Sequence, residues 1–587
     1  MKKALIFLLL LSSLALASPI QKDSILLLAM IENGTGQSGG VARLDLEIHD
    51  GKERVFLETY PMTKVTTQAS LRFAQQTACK ELDVDCSDKD FLFTIQALPG
   101  IVGGPSAGSA ATFITSALLL NKSVPDDVAM TGTINSGGLI GPVGGLRFKI
   151  EAAAEHGIKR AYIPKGTKDS KEGNKTIDLI EYGKQLNVTV MEVATIGEVL
   201  ELELGVPRVR FNESLKIDEK YAMTMRDVAQ DLCERSQSYS KKARNDTKAQ
   251  EYSARAKKAF EQGEFYAAAS YCFRSNVEYK QNIEYNVSNA ELEKQIYELV
   301  VEAQRVKKNV ESKNITTLTD LQTAMAVLER VDEALELLFD ANESKSKARS
   351  TAARDVAYAE ERLFSGVTWS RFFDGSSQQL IIDEKSLEKG CVSKISEAEE
   401  RYNYVRSVIP DALDGTRADI DDAYALLREN KHSMCLYTAS KAKAEADVVL
   451  GVMGVEEDRF GELISLKLDV SKEALMKAQK KGVFPIIAYS YYEYASSLQE
   501  FDNVSSLLFA EYALELSNLD IYFEKRQAEQ VKIEKRVVVR IPSATLAFAA
   551  GMIIGVVIAY SIFRLLSGNR EKTLQAPPKR RLRGKKR

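Results

Sequence analysis

The 587 residues carry 79 Lys and Arg against 82 Asp and Glu, with 45% hydrophobic and 8% aromatic residues, a composition that speaks against a disordered chain and provides for several domains. The net charge of −3 hides an uneven distribution, because residues 569–587 hold nine basic side chains and one acidic one; the body before them is acidic, which argues against a nucleic-acid surface. Three histidines, His49, His156 and His432, argue against a His-rich metal centre and leave few partners for a Ser-His-Asp triad.

The chain opens with Lys2 and Lys3, an apolar run from Ala4 to Leu11, and Ala15-Leu16-Ala17 at cleavage spacing. These are the parts of a secretory signal, assigned to residues 1–17, so the segments that follow are expected outside the cytoplasm. From residue 18 to about residue 208 glycine and proline are frequent. β-branched runs (Ile25 to Met30, Val41 to Ile48, Phe91 to Leu98, Val188 to Val193) alternate with helical stretches (Thr66 to Leu82, Ala107 to Leu120, Phe148 to His156). This predicts a domain of mixed α and β structure.

The chemistry lies in that domain. Gly104-Pro105-Ser106-Ala107-Gly108 follows a predicted strand and opens a predicted helix. Ser106 would therefore sit near a helix amino terminus, where backbone N–H groups favour a developing oxyanion. The pentapeptide also satisfies Gly-x-Ser-x-Gly, yet neither His156 nor His432 is well placed to complete a hydrolase triad. No Gly-x-x-x-x-Gly-Lys-Ser/Thr loop occurs, which excludes that nucleotide site. A serine without histidine needs another base, and a lysine serves when burial lowers its pKa. Lys149, on the first turn of a helix entered from Gly144-Gly145, is the candidate.

Taken together, Gly104 to Gly108, Asp127-Val-Ala-Met-Thr-Gly132, Gly141-Pro-Val-Gly-Gly-Leu146, Lys149 and Gly157-Ile-Lys-Arg-Ala-Tyr-Ile-Pro164 resemble the proteolytic domain of Lon proteases, in order and in spacing. The similarity extends more weakly over residues 22–206 and points to a membrane-anchored, archaeal-like form that lacks the ATPase. The resemblance implies a Ser-Lys dyad, with Ser106 as nucleophile, Lys149 as general base and Thr131 as a neighbour hydrogen-bonded to the lysine. Gly104, Ala107 and Gly108 support the site by the same token. Two departures stand out: Gly103 and Thr133 occupy positions where Lon enzymes usually or often carry an acid.

Between residues 209 and 540 the composition shifts to Ala, Glu, Lys and Leu, and from Asn212 onward only Pro410 and Pro485 occur; this stretch is expected to be all α. Three segments, around Gly263, Asn430 and Gly482, each read as helix, C-cap and Ala-rich helix, loosely similar to tetratricopeptide-like hairpins. A peptide-binding or assembly surface is one reading of these Tyr and Ala stripes; a bundle with the stripes as its core is the other.

Residues 541–567 include the apolar segment from Ala544 to Leu566, without charge until Arg564, and the basic tail 568–587 follows, which predicts a single membrane helix with a cytoplasmic C-terminus. Ala547, Gly551, Gly555 and Ala559 form a small-residue stripe compatible with a homo-oligomer. Ten Asn-x-Ser/Thr triplets, at Asn33, Asn121, Asn174, Asn187, Asn212, Asn245, Asn286, Asn314, Asn342 and Asn503, all fall between the two apolar segments. Six cysteines form three separated pairs, Cys79/Cys86, Cys233/Cys272 and Cys391/Cys435. Each pair is expected to bond locally in an oxidising compartment and to bracket one short structural unit, the latter two stapling the two legs of helical hairpins.

The expected architecture is thus an α+β Lon-like catalytic domain, a long helical domain and one membrane helix. The expected function is that of an ATP-independent serine endopeptidase acting on flexible or unfolded polypeptides at the outer face of the membrane. It needs no cofactor, metal or nucleic acid. The alternative is a non-catalytic adaptor that binds partners through its helices.

Overall fold

The computed structural model describes residues 21–525, apart from residues 34–35, 61–64, 98–103, 173–174, 209–214, 244–245, 374–379, 411–412 and 453–458. The expected signal, membrane segment and basic tail lie outside the described residues. Among the described residues, no helix is long and apolar enough to cross a membrane.

A long antiparallel hairpin begins the fold. β1 (Gln21–Asn33) pairs with β2 (Gly36–Asp50) from Gln21↔Ile48 to Asn33↔Gly36. The two-residue alternation of a strand puts Ile25 and Leu27, with Ala42, Leu44, Leu46 and Ile48 opposite them, into one buried layer. β3 (Val55–Tyr60), α1 (Val65–Glu81), β4 (Lys89–Ala97), α2 (Gly108–Leu119), β5 (Val128–Met130), the short β6 (Thr133–Ile134) and β7 (Ile140–Gly141), and α3 (Leu146–Glu155) follow. Then come β8 (Arg160–Pro164), a β9 (Asp169–Glu172) and β10 (Lys175–Asp178) hairpin, α4 (Leu179–Gln185), β11 (Thr189–Val193) and α5 (Ile196–Leu204).

Seven strands form one mixed sheet in the order β11-β8-β5-β1-β2-β4-β3. Its β11-β8-β5-β1 side is parallel, while β1-β2-β4 is antiparallel. α1, α2 and α5 cover one face, where Leu71, Phe113, Ile114 and Val199 meet Leu44, Phe91 and Phe93. α3 and α4 cover the other, where Ile150 and Leu179 meet Ala161, Ile163 and Val190, and Ala153 meets Leu28 and Ala129. The result is a three-layer α/β domain, more regular than the α+β expectation, because the short strands β5 and β8 extend the sheet in parallel.

Among the described residues, the remainder is helical, with connecting turns, apart from a two-residue bridge between Leu380–Ile381 and Glu524–Lys525. Its helices are α6 (Glu219–Ser240), α7 (Thr247–Gln262), α8 (Phe265–Glu284), α9 (Asn289–Glu311), α10 (Leu318–Ser344) and α11 (Arg349–Trp369), then α12 (Glu384–Val408), α13 (Asp414–Arg428), α14 (His432–Val452), α15 (Phe460–Lys480), α16 (Ile486–Leu498) and α17 (Asn503–Leu516). Side chains of Asp218, Asp246, Ser288, Thr317, Asp383 and Asp502 accept hydrogen bonds from the first-turn N–H groups of their helices and fix where those helices start. The three expected turns hold: Gly263, Asn430 and Gly482 all have positive φ after a helix end.

The tyrosine stripes are core. Tyr266, Tyr271, Tyr491 and Tyr494 are buried, and Tyr266 makes edge contacts with Trp369, Tyr491 and Tyr494. The disulfides join the expected pairs, but what they bracket differs from expectation. Cys79 stands near the end of α1, whereas Cys86 belongs to no helix or strand and lies in the connection to β4. The Cys79–Cys86 bond, with Cα atoms 6.2 Å apart, therefore brackets no complete unit; it folds the α1–β4 connection back on the helix end, and both cysteines are buried in the core of the sheet domain. Cys233–Cys272 links α6 to α8 and Cys391–Cys435 links α12 to α14, each bridging past an intervening helix. The legs of one hairpin are already held together by their short turn; these two bonds instead tie a helix to its second neighbour. Of the ten sequon asparagines, Asn121, Asn187, Asn286, Asn314, Asn342 and Asn503 are exposed; the other four side chains lie outside the described set.

The sheet domain and the helices form one compact unit. The turn at Asn135–Leu139 inserts into the helical half, where Leu139 packs with Val470, Ala474 and Leu514. Ion pairs Arg208–Glu473, Lys477–Glu81 and Lys80–Asp520 close the boundary around it.

Candidate active site

Ser106 stands on a single 3₁₀ turn, Pro105–Ala107, that leads directly into α2. The helix therefore begins at Gly108, one residue later than the sequence pattern suggests, and Ala107 closes the turn against the sheet core. Gly104 before the turn has φ 132°, a conformation that a side chain opposes. Gly108 is required by contact instead, since a Cβ there would stand 2.9 Å from Ile134 Cγ2 and 3.0 Å from its backbone nitrogen. Two backbone hydrogen bonds fasten this segment to the end of β5: Gly132 N–H donates to Ser106 C=O at 3.2 Å, and Ser109 N–H donates to Gly132 C=O at 3.1 Å. Ser106 remains partly accessible.

Lys149 is the fourth residue of α3 and is only 4% exposed. Its Nζ donates to Thr131 Oγ1 at 3.1 Å. Burial pushes its pKa down from 10.5 to about 7, because removal of water penalises the ammonium form. Thr131, 1% exposed, follows β5 directly and precedes Gly132. The serine turn is thus bonded to Gly132 and the lysine to Thr131, so adjacent residues at one strand end anchor both segments. The sheet makes this possible: β5 is central and parallel to β1 and β8, so its carboxyl end opens between the helices on its two faces.

The histidines are elsewhere. His156 lies at the far end of α3 and hydrogen-bonds Ala152 C=O, His432 bonds Glu384, and His49 bonds Glu47. Thr133, where the family resemblance leads one to expect an acid, is fully buried in β6; Gly103 lies outside the described residues. Among the described residues, Asp447, Glu511 and Glu515 are the carboxylates close enough to share a cation. They are already met by Lys443, Lys467, Lys394 and Arg401, a pattern of internal neutralisation that leaves a metal ion little to balance.

Three contacts from the helical half reach the site and had no sequence signal. Ser70 Oγ, on α1, donates to Glu400 Oε1 at 2.8 Å and lies 3.4 Å from Pro105 C=O. Arg401 Nη2 donates to Ile134 C=O at 2.6 Å and to Asn135 Oδ1 at 2.7 Å. Gly144 N–H donates to the Tyr404 hydroxyl at 2.9 Å. In sequence, Glu400 and Arg401 sit in a charged stretch in which nothing marks their burial, 2% exposed each.

Residues 80–205 match the Lon protease (S16) C-terminal proteolytic domain. A Lon protease of Elusimicrobium minutum is 30% identical over 198 residues, 31% of this chain and 23% of that protein. Archaeal Lon proteases of Thermococcus kodakarensis and Pyrococcus abyssi are 37% and 38% identical, over 19% of this chain and 16% and 10% of their own lengths. The chain therefore spans less than a quarter of these relatives, and the stretch that matches the family, residues 80–205, lies in the sheet domain and includes Ser106 and Lys149.

Proposed function

We propose that the protein is a serine endopeptidase in which Ser106 attacks the peptide carbonyl and Lys149 is the general base. The observation that carries this reading is a buried lysine with a pKa near 7, held by Thr131 beside the strand end to which the serine turn is bonded. Neutral Lys149 gives one N–H to Thr131 and keeps its lone pair for the Ser106 proton. As Ser106 Oγ bonds to the carbonyl carbon, that proton passes to Nζ. The negative charge on the carbonyl oxygen falls at the amino end of α2, where the helix dipole favours it. The ammonium then returns the proton to the departing amine, the C–N bond breaks, and water releases the acyl group by the same route in reverse.

The matching relatives are named as proteases, which supports the reaction class. The reading extends to hydrolysis of flexible or unfolded polypeptides without ATP, in keeping with a sequence in which no Gly-x-x-x-x-Gly-Lys-Ser/Thr loop occurs. The signal-like start, the apolar stretch at 541–567 with its basic flank and the disulfides support a single-pass anchor with the catalytic and helical parts on the outer side.

Ser106→Ala and Lys149→Arg should each abolish hydrolysis of an unstructured peptide while keeping the parent fold by circular dichroism, the second because arginine stays charged at working pH. His156→Ala should turn over at the parent rate. Hydrolysis by Lys149→Arg at the parent rate would refute the dyad.

A further inference from the structure

Glu400, Arg401 and Tyr404 occupy neighbouring positions on one face of α12, and each meets a different loop of the candidate site. Glu400 reaches the serine turn through Ser70, whose hydroxyl lies between the carboxylate and the carbonyl of Pro105, the residue before Ser106. Arg401 spans the loop that follows Thr131 and Gly132, with bonds to Ile134 C=O and Asn135 Oδ1. Tyr404 takes the N–H of Gly144, in the turn that launches α3 and Lys149.

We propose that α12 is a clamp on the active site, in which Glu400, Arg401 and Tyr404 are positioning residues that hold the serine turn, the loop beyond Thr131 and the turn before Lys149 in one fixed relation. This rests on the peptidase reading above and extends it: the catalytic geometry belongs to the whole compact unit rather than to the sheet domain alone.

The clamp is itself stiff. Arg401 Nη1 is 2.8 Å from Glu400 Oε1 and its Nε 2.9 Å from Asp447 Oδ1. Asp447 pairs with Lys443, which also meets Glu515, and Glu515 pairs with Lys394, again on α12. The Cys391–Cys435 bond ties α12 to α14, the helix that carries Lys443 and Asp447. Breaking one member of such a buried network leaves an uncompensated charge, so the network resists rearrangement. A rigid support of this kind is what a proton transfer between two side chains on different elements requires, since a displacement near 1 Å costs about a hundredfold in rate.

The test uses the full chain and a fluorogenic unstructured peptide. Tyr404→Phe removes one hydroxyl from a half-buried ring and keeps its packing; Arg401→Lys keeps the charge but not the fork that spans Ile134 and Asn135. Both should lower kcat about tenfold or more with KM within about twofold. Ser396→Ala, on the exposed side of α12, should match the parent. Because Arg401 lies inside the ion network, the decision rests on Tyr404→Phe with an unchanged melting temperature. An active parent with parent-like kcat in Tyr404→Phe overturns the clamp alone. A parent protein that never turns over peptide overturns the peptidase reading and the clamp with it.

Discussion

Lys149 sets the pH dependence of the proposed chemistry. Its working form is neutral, and burial holds its pKa near 7, so kcat/KM should rise with pH through about 7 and vanish on the acid side. The same shift bears on stability. In the unfolded chain the lysine titrates near 10.5, so between about pH 10 and pH 7 the unfolded state binds more protons than the folded one. Stability then falls as pH drops through that window, and the penalty is complete below about 7. A fall from 10.5 to about 7 corresponds to a penalty on the order of several kcal/mol. Lys149→Met should therefore be inactive yet melt at a higher temperature than the parent, with a larger gain at pH 7 than at pH 10; equal gains at both pH values would contradict the buried-lysine account. The turn that carries Ser106 and the helix entry that precedes Lys149 were legible in the sequence because glycines mark both. Glu400, Arg401 and Tyr404 were not, because their partners are more than 250 residues away and nothing local marks them.

At the level of elements, α3 is placed by its contact with β2. A Cβ on Gly39 would lie 2.0 Å from the backbone oxygen of Phe148 and 2.9 Å from Ala152 Cβ, so only glycine allows the first turn of α3, and Lys149 with it, to approach the sheet. Gly39→Ala should push α3 outward, destabilise by about 1–3 kcal/mol and lower kcat more than it raises KM; a denaturation midpoint and kcat equal to the parent's would contradict this. The long strands β1, β2 and β4 were readable in their middle parts from the runs Ile25 to Met30, Val41 to Ile48 and Phe91 to Leu98. β5 and β8, three and five residues long, were not, since a short buried run carries no period, and their place in the sheet is set by pairing of β5 with β1 and of β8 with β5. The helical turns at Gly263, Asn430 and Gly482 were readable because a left-handed residue after a helix is a local requirement. The partnership of Cys79 and Cys86 was readable because a separation of seven residues keeps them close in any compact fold, but not that Cys86 would lie in a loop. Which helices the two longer disulfides would join depended on tertiary stacking, and cysteine spacing held no information about it.

For the whole molecule, the change of composition near residue 208 separates sheet from helices, yet no corresponding gap exists in space. The Asn135–Leu139 turn is buried in the helical half, and α12 lies against α1 and the serine turn. Composition records where secondary structure changes; it is blind to the burial of Arg401, Glu400 and Lys443, whose charges look solvated until they are paired inside. By these contacts the helical half buttresses the loops around Ser106 and Lys149, the residues of the proposed dyad. Reaction of the purified full chain with a serine-reactive fluorophosphonate, mapped by peptide mass spectrometry, tests the central claim most directly. The account predicts a single adduct on Ser106 that forms faster as pH rises through about 7 and is absent in Lys149→Arg; no adduct on folded parent protein, or one on another serine, would contradict it.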